Sequence, residues 1–182
     1  VRDLARRRDL PAASRPESQE ICFIPDNNYG RFLAQRIPEL ARPGPIVDSR
    51  GNVLGRHPGI IHFTVGQRRG LGIAAPHPLY VLEINAQDNT VVAGPNRELY
   101  KTALLAGRLN WIARLDLERP LRVRARIRYK HREAPATIVP LPGKKVSVEF
   151  DRPQRAITPG QSVVFYDDDT VLGGGIIEAS LD

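Results

Sequence analysis

The run from Arg122 to Arg132 reads Arg-Val-Arg-Ala-Arg-Ile-Arg-Tyr-Lys-His-Arg, a strict alternation of cations with other side chains. Period two is the side-chain period of a β-strand, in which successive residues face opposite sides. A chain holding this segment must turn Val123, Ala125 and Ile127 toward a core. Arg122, Arg124, Arg126, Arg128, Lys130 and Arg132 then share the other face. We therefore expect a ladder strand from Arg122 to Lys130. Guanidinium groups two residues apart on one face repel one another, so the ladder gains nothing internally. A polyanion would offset that repulsion and release counterions. The competing reading is a solvated outer strand with acidic cross-strand partners. Either way, the segment carries the charge of the chain. The sequence has 27 Lys and Arg against 20 Asp and Glu, a formal +7. Residues 107–132 hold nine basic and two acidic side chains, which is the whole excess.

The remaining pattern is a series of short apolar runs cut by Gly and Pro. Ile46–Asp48 and Asn52–Gly55 flank Arg50-Gly51 as a hairpin. Ile60–Val65, Leu79–Ile84, Thr90–Gly94, Leu104–Ile112, Ala136–Val139, Lys145–Phe150, Ser162–Tyr166 and Val171–Ile177 read as further strands. Asp167-Asp168-Asp169 is a hairpin tip. Helical signals are confined to the start: Val1–Leu10, stopping before Pro11, and Asn28–Ile37, capped by Asp26 or Asn27 and ended by Pro38. The expected fold is mainly β with a short helical N-terminal part. A small central β-rich domain precedes a C-terminal β-barrel. We divide the chain into residues 1–30, 31–104 and 105–182. A hydrophobic fraction of 41% in 182 residues suits a globular body with a real core. No apolar run reaches 18 residues, so no membrane partner is expected. The chain has no methionine and opens on Val1 followed by helix-like residues, so we read it as a piece of a longer protein.

Chemistry-bearing residues are few. Cys22 is the one cysteine, so no internal disulfide is possible, and a reducing, cytoplasmic setting is expected. Flanked by Ile21 and Phe23, it reads first as a buried core thiol, with a reactive thiol on a loop between a polar linker and Pro25 as the alternative. His57, His62, His77 and His131 have no zinc-module spacing, and no metal is expected. Gly66-Gln67-Arg68-Arg69-Gly70-Leu71-Gly72 is a basic glycine loop without the Lys-Ser or Lys-Thr of an ATP loop. Its Arg68 and Arg69 can meet phosphate, or the loop can serve only as a packed turn.

Several stretches resemble the bacterial tRNA-specific 2-thiouridylase family, MnmA or TrmU. They are Ser18-Gln19-Glu20-Ile21-Cys22-Phe23-Ile24, His57-Pro58-Gly59-Ile60, and His62 through Ile73 with its Gly-Gln-Arg-Arg-Gly-Leu-Gly core. Arg128-Tyr129, Thr158-Pro159-Gly160-Gln161 and Leu172-Gly173-Gly174-Gly175-Ile176-Ile177 complete the set, in the family's order. The resemblance implies thiolation of C2 of wobble uridine 34 in tRNA, with ATP adenylating the C2 oxygen. It implies that Cys22 is the cysteine that receives sulfur as a persulfide from a donor protein or relay. A second cysteine, absent here, would then resolve the persulfide through a transient disulfide. It implies tRNA contacts at Arg128, Tyr129 and Gln161, to which the ladder and loop add Arg68, Arg69, Arg126 and Lys130. Residues 1–30, with the Cys22 loop, resemble the tail of the family's ATP-pyrophosphatase domain, and the ATP-binding motifs of that domain have no match in this chain. We expect ATP to be used by the full-length enzyme and not bound here. This chain alone is expected to be inactive and monomeric. A noncatalytic tRNA-binding barrel and a protein-docking barrel are the alternative readings.

Overall fold

The computed structural model describes residues 2–11, 13–14, 21, 23–24, 26–113 and 117–182. Cys22, with the reactive-loop expectation attached to it, lies outside the described residues. The chain forms two compact units, residues 1–39 and 40–182.

In the first unit, α1 spans Arg2–Arg7 and α2 spans Tyr29–Arg36. The cap of α2 is Asn28, one or two residues later than expected. Its side-chain oxygen accepts the Arg31 amide at 2.9 Å, which satisfies a donor left open by helix geometry. Phe32 packs its ring 5.6 Å from that of Phe23.

The second unit opens with a four-stranded sheet of β1 (Gly44–Val47), β2 (Val53–His57), β3 (Tyr80–Asn85) and β4 (Thr90–Gly94), in the order β2-β1-β4-β3. The β1–β2 hairpin closes through Asp48, whose carboxylate accepts the amides of Arg50 and Asn52 at 2.9 and 2.8 Å. These bonds hold the Asp48 carboxyl below the usual carboxylate range, the Asn52 bonds contributing most. The β1–β4 pair is parallel and the other two are antiparallel. Ile46, Val81, Val91 and Ala93 supply one face of the core, and Ile60, Phe63 and Leu71 cover it. The strand expected at Ile60–Val65 is a 3-10 turn over Ile60–His62 instead. Its buried residues, Ile60 and Phe63, are three apart, so the apolar spacing is that of a turn and not of a strand.

His57 is the buried polar residue of this core, only 2% exposed. Its Nε2 lies 3.0 Å from the Asn89 carbonyl oxygen, so Nε2 carries the proton and donates. Nδ1 is buried without a partner. Burial pushes the imidazole below its ordinary value, with the nearby charges of Arg56 and His62 adding to the effect and the Asn89 bond opposing it. A depressed histidine value means the fold prefers the neutral ring. That preference is fully present above the unfolded value of about 6.5 and is lost as pH falls below it. The melting temperature is therefore expected to decline between pH 7 and pH 5. In His57→Gln the decline should be shallower, although the variant melts lower throughout. Thermal melts of both proteins at each pH check this.

The second part of the unit is a closed barrel. Its strands are β5 (Tyr100–Trp111), β6 (Leu121–Arg126), β7 (Ala134–Leu141), β8 (Lys145–Arg155), β9 (Ser162–Asp167) and β10 (Thr170–Leu181). Their order around the barrel is β10-β5-β8-β7-β6-β9. Closure leaves no unpaired strand edge. The interior is filled by Leu104, Val123, Ala125, Ile138, Val148, Val163, Phe165 and Ile177 among others. β5 begins at Tyr100, so residue 104 lies within a continuous strand. Where β10 crosses β5 and β9 the walls touch. A Cβ on Gly173 would sit 2.5 Å from the Asn110 carbonyl oxygen, and one on Gly174 would sit 2.5 Å from that of Val163. Only glycine fits there.

The ladder is shorter than its alternation suggests. β6 ends at Arg126, and residues 128–130 form a bend and turn closed by the His131 amide donating to the Arg128 carbonyl at 3.0 Å. Alternation persists through the turn because Ile127 still inserts into the core. The face expected to hold six free cations is thus split. Arg122 donates to both Asp151 oxygens at 2.7 and 2.8 Å, and Arg124 pairs with Glu133 at 3.5 Å. These two rungs have the acidic partners of the competing reading, supplied by β8 and by the segment entering β7.

Candidate nucleic-acid interface

The candidate residues converge on a corner at the end of β8. Ala156 takes a left-handed conformation there, φ 55°, and its amide donates to the Leu99 carbonyl at 2.8 Å. The Arg128 guanidinium reaches across and donates through Nη1 to the carbonyls of Arg155 and Ala156 at 3.2 and 3.3 Å. Thr158 Oγ1 donates to the same Ala156 carbonyl at 3.0 Å. The loop that follows, Thr158–Gln161, is fixed to β10 by bonds between the backbones of Gly160, Gln161 and Ile177, 2.8 Å each. Antiparallel pairing sets Arg126 opposite Val164. Arg128, in the bend after β6, reaches the same end through the Ala156 carbonyl that it shares with Thr158, at the start of the loop carrying the exposed Gln161. Arg126, Arg128, Tyr129, Lys130 and Gln161 therefore occupy one end of the barrel.

The charge at this end differs in kind from that on β6. Arg126 donates to the carbonyls of Arg128 and Tyr129, closing the turn. A carbonyl holds a guanidinium without cancelling its charge, whereas a carboxylate cancels it. The cationic field of Arg126 and Arg128 is uncompensated by these contacts, while that of Arg122 is met by Asp151. The Arg122 bonds hold the Asp151 carboxyl below its usual range, against a smaller opposing effect of desolvation. Burial and then the Arg128 charge push the His131 imidazole below its ordinary value, which favours the neutral ring. Tyr129 is 83% exposed, an aromatic face held out beside cations. That combination suits stacking on an unpaired base with phosphate contact alongside.

The glycine loop meets the same corner. Gly66 has φ +87°, and a Cβ there would lie 3.1 Å from the Ala156 Cβ. The loop is ordered by Gln67, which accepts the Thr64 amide at 3.0 Å and donates to the Arg69 carbonyl at 2.9 Å. Main-chain bonds of 2.8 and 2.9 Å join Gly66 and Gln67 to Val81 at the start of β3. Arg68 and Arg69 are left exposed. The amides of Gly66 and Gln67 are used within the sheet and the turn, so they form no phosphate cradle. Among the described residues, no group of three or more His, Asp or Glu side chains is placed to hold a metal ion. No described helix is long and apolar enough to cross a membrane.

A cavity of about 1090 Å³ lies elsewhere, between the sheet and the barrel. Asp48, Glu83, Glu98, Glu178 and Asp182 line it against Arg97 and Lys101, a balance that disfavours a polyanion. None of the candidate RNA residues lines it. Sequence reasoning missed Arg155, Asn96 and Tyr80, which join the corner to the sheet. Arg155 Nε donates to Asn96 Oδ1 at 3.0 Å, and its guanidinium lies 5.4 Å from the centre of the Tyr80 ring.

A small mixed sheet followed by a closed barrel is the architecture of this chain, and two family models match its two parts. Residues 30–95 match the tRNA methyl transferase PRC-barrel domain, and residues 101–177 match the aminomethyltransferase beta-barrel domain. The tRNA-specific 2-thiouridylase MnmA of Acetivibrio thermocellus is 56% identical over 178 residues, covering 98% of this chain and 50% of that protein. Those of Halothermothrix orenii and Symbiobacterium thermophilum are 51% and 52% identical, over 98% and 100% of this chain and 50% and 46% of theirs. The chain belongs to the tRNA-specific 2-thiouridylase MnmA family. It spans about half the length of the curated relatives it matches.

Proposed function

We propose that this chain is the tRNA-gripping and sulfur-bearing part of a tRNA-uridine 2-sulfurtransferase, which replaces the C2 oxygen of wobble uridine 34 by sulfur. The observation that supports it most is 56% identity to a named 2-thiouridylase across 98% of the chain. Residues 1–30 carry the cysteine, the central domain follows from residue 31, and the tRNA-contacting barrel runs from β5 to residue 182, starting at Tyr100 and so a few residues before the boundary expected at 104. The Cys22 thiolate attacks the outer sulfur of a donor persulfide. A Cys22–S–SH group forms, and the donor leaves as its thiolate. The outer sulfur then attacks C2 of the uridine, whose adenylated oxygen leaves as AMP. The second cysteine of the full-length enzyme attacks the Cys22 sulfur, breaking the S–S bond, closing a disulfide and leaving the transferred sulfur on C2. ATP activation belongs to the whole enzyme, and no described residue of this chain is assigned to it. The reaction takes place in the cytoplasm, on a monomer served by a separate sulfur-donor protein.

The barrel end holds the RNA. Arg68, Arg69, Arg126, Arg128 and Lys130 neutralise phosphates, Tyr129 stacks and Gln161 hydrogen-bonds. Phosphate contacts fix position, and the reacting base is presented elsewhere. Two substitutions separate charge from architecture. Lys130→Ala removes an exposed cation and is expected to lower the slope of log affinity against log salt by about 0.7–0.9, with an unchanged melt. Arg128→Ala is expected to lower the slope similarly and also to lower stability by about 1–3 kcal/mol, because the Arg155 carbonyl loses its side-chain donor and the Ala156 carbonyl keeps only that of Thr158. tRNA titrations across a salt series, with melts alongside, test both. Unchanged slopes in both variants would remove the tRNA assignment from this end of the barrel.

A further inference from the structure

We propose that Arg155 is a positioning residue. It fixes the Gly66–Gly72 loop against the RNA-contacting end of the barrel, so that Arg68 and Arg69 act together with Arg128, Tyr129 and Lys130 on one tRNA. The inference rests on the tRNA reading above and goes beyond it. It assigns a role to a cation that neither the ladder nor the loop contains.

Three contacts carry it. The Arg155 guanidinium is held on the sheet side by Asn96 Oδ1 at 3.0 Å and by the Tyr80 ring at 5.4 Å. Its own carbonyl accepts from Arg128 at 3.2 Å. One residue on, Ala156 packs close to Gly66, whose Cβ would lie 3.1 Å from the Ala156 Cβ, and the Arg155 Nη1 lies 3.6 Å from where that Gly66 Cβ would be. Arg155 thus ties together the segment before β5, the first residue of β3, the glycine loop and the barrel turn. Its side chain spends its charge on an amide oxygen and an aromatic face, both neutral. It is half-buried, unlike Arg68, Arg69 and Lys130, which are exposed. An arginine in this setting sets an angle between two surfaces instead of meeting phosphate. Two cationic surfaces joined rigidly bind one polyanion as a single unit. If the joint loosens, the second surface engages at a lower effective concentration, so affinity falls while both sets of phosphate contacts still form.

The test uses the whole 182-residue chain and a tRNA substrate, with Arg155→Gln, Asn96→Ala and the double variant. Both single variants are expected to weaken tRNA binding about tenfold, the scale of one charge-assisted hydrogen bond. Both should keep the wild-type salt slope. Asn96→Ala is decisive because it removes no charge. The double variant should be no weaker than Arg155→Gln, since both substitutions break one contact. Amide exchange at Gly66 and Gln67 should speed up in all three while exchange in β6 and β9 is unaltered. If Arg155→Gln lowers the slope by about 0.7–0.9 and Asn96→Ala changes nothing, Arg155 is a phosphate contact and the proposal is overturned. Unaltered affinity in both singles overturns it equally. A wild type without salt-dependent tRNA affinity would sink the tRNA reading. The positioning claim would still be decided by amide exchange, and unchanged protection at Gln67 would refute it.

Discussion

Replacing Cys22 by Ser in a protein of the full length of the relatives is expected to abolish 2-thiouridine formation, while tRNA binding stays close to that of the parent. The two oxygen-for-sulfur chemistries are not graded. A thiolate attacks a persulfide and keeps the sulfane sulfur as a stable S–S bond, whereas a serine hydroxyl is protonated at neutral pH and forms no such carrier. The loss should therefore be complete and not a fractional slowing. Nucleoside mass spectrometry of digested tRNA reads the product, and a binding titration reads the interface separately. Retained 2-thiouridine would move the persulfide to another residue. Reduced product together with equally reduced tRNA affinity would make Cys22 a packing residue. The barrel residues make a complementary prediction: their variants lose affinity first and chemistry only through it.

Phe165→Ala is expected to cost about 3–5 kcal/mol and to lower the melting temperature by about 10 °C. Phe165 is fully buried, sits opposite Ala125 on β6 and stacks on Trp111 at 5.6 Å. It bridges the two sides of the barrel interior, so its removal leaves a cavity that neighbouring strands cannot close without breaking register. Calorimetry on the purified chain measures the change. A loss below about 1 kcal/mol would mean that the barrel interior repacks far more readily than a closed sheet should. The same substitution leaves every cation in place, so any tRNA affinity that survives refolding should show the parent salt slope.

The strands of the barrel and the β1–β2 hairpin are legible in the sequence because their inward residues alternate, as in Val123 and Ala125 or Val163 and Phe165. Period two is a local signal. Where core residues recur every three, as at Ile60 and Phe63, the same apolar density folds as a turn and reads wrongly as a strand. The end of β6 is hidden for a related reason. Ile127 continues the alternation into a turn, so nothing in the spacing announces that Arg128 and Lys130 leave the ladder. Which rungs are neutralised is also hidden, since Asp151 lies 29 residues from Arg122. Arg128, Tyr129 and Gln161 are visible as motif residues, but their meeting at one end depends on the β6–β9 pairing. The contact of Arg155 with Asn96 spans 59 residues and has no periodic or motif signature at all.

Gly173, Gly174 and Gly175 lie where β10 crosses its neighbours with no room for another carbon. A substitution there is felt while the chain is folding, before any RNA is met. In a cell, such a variant would be seen by proteases and chaperones sooner than by tRNA. Under the proposed function, a hypomodified tRNA pool traced to one of these positions would then signal too few enzyme molecules, each of them competent. Raising expression should restore modification in that case, and should not do so for a variant at Cys22. The triglycine step thus sorts genetic defects in this protein into those of supply and those of chemistry.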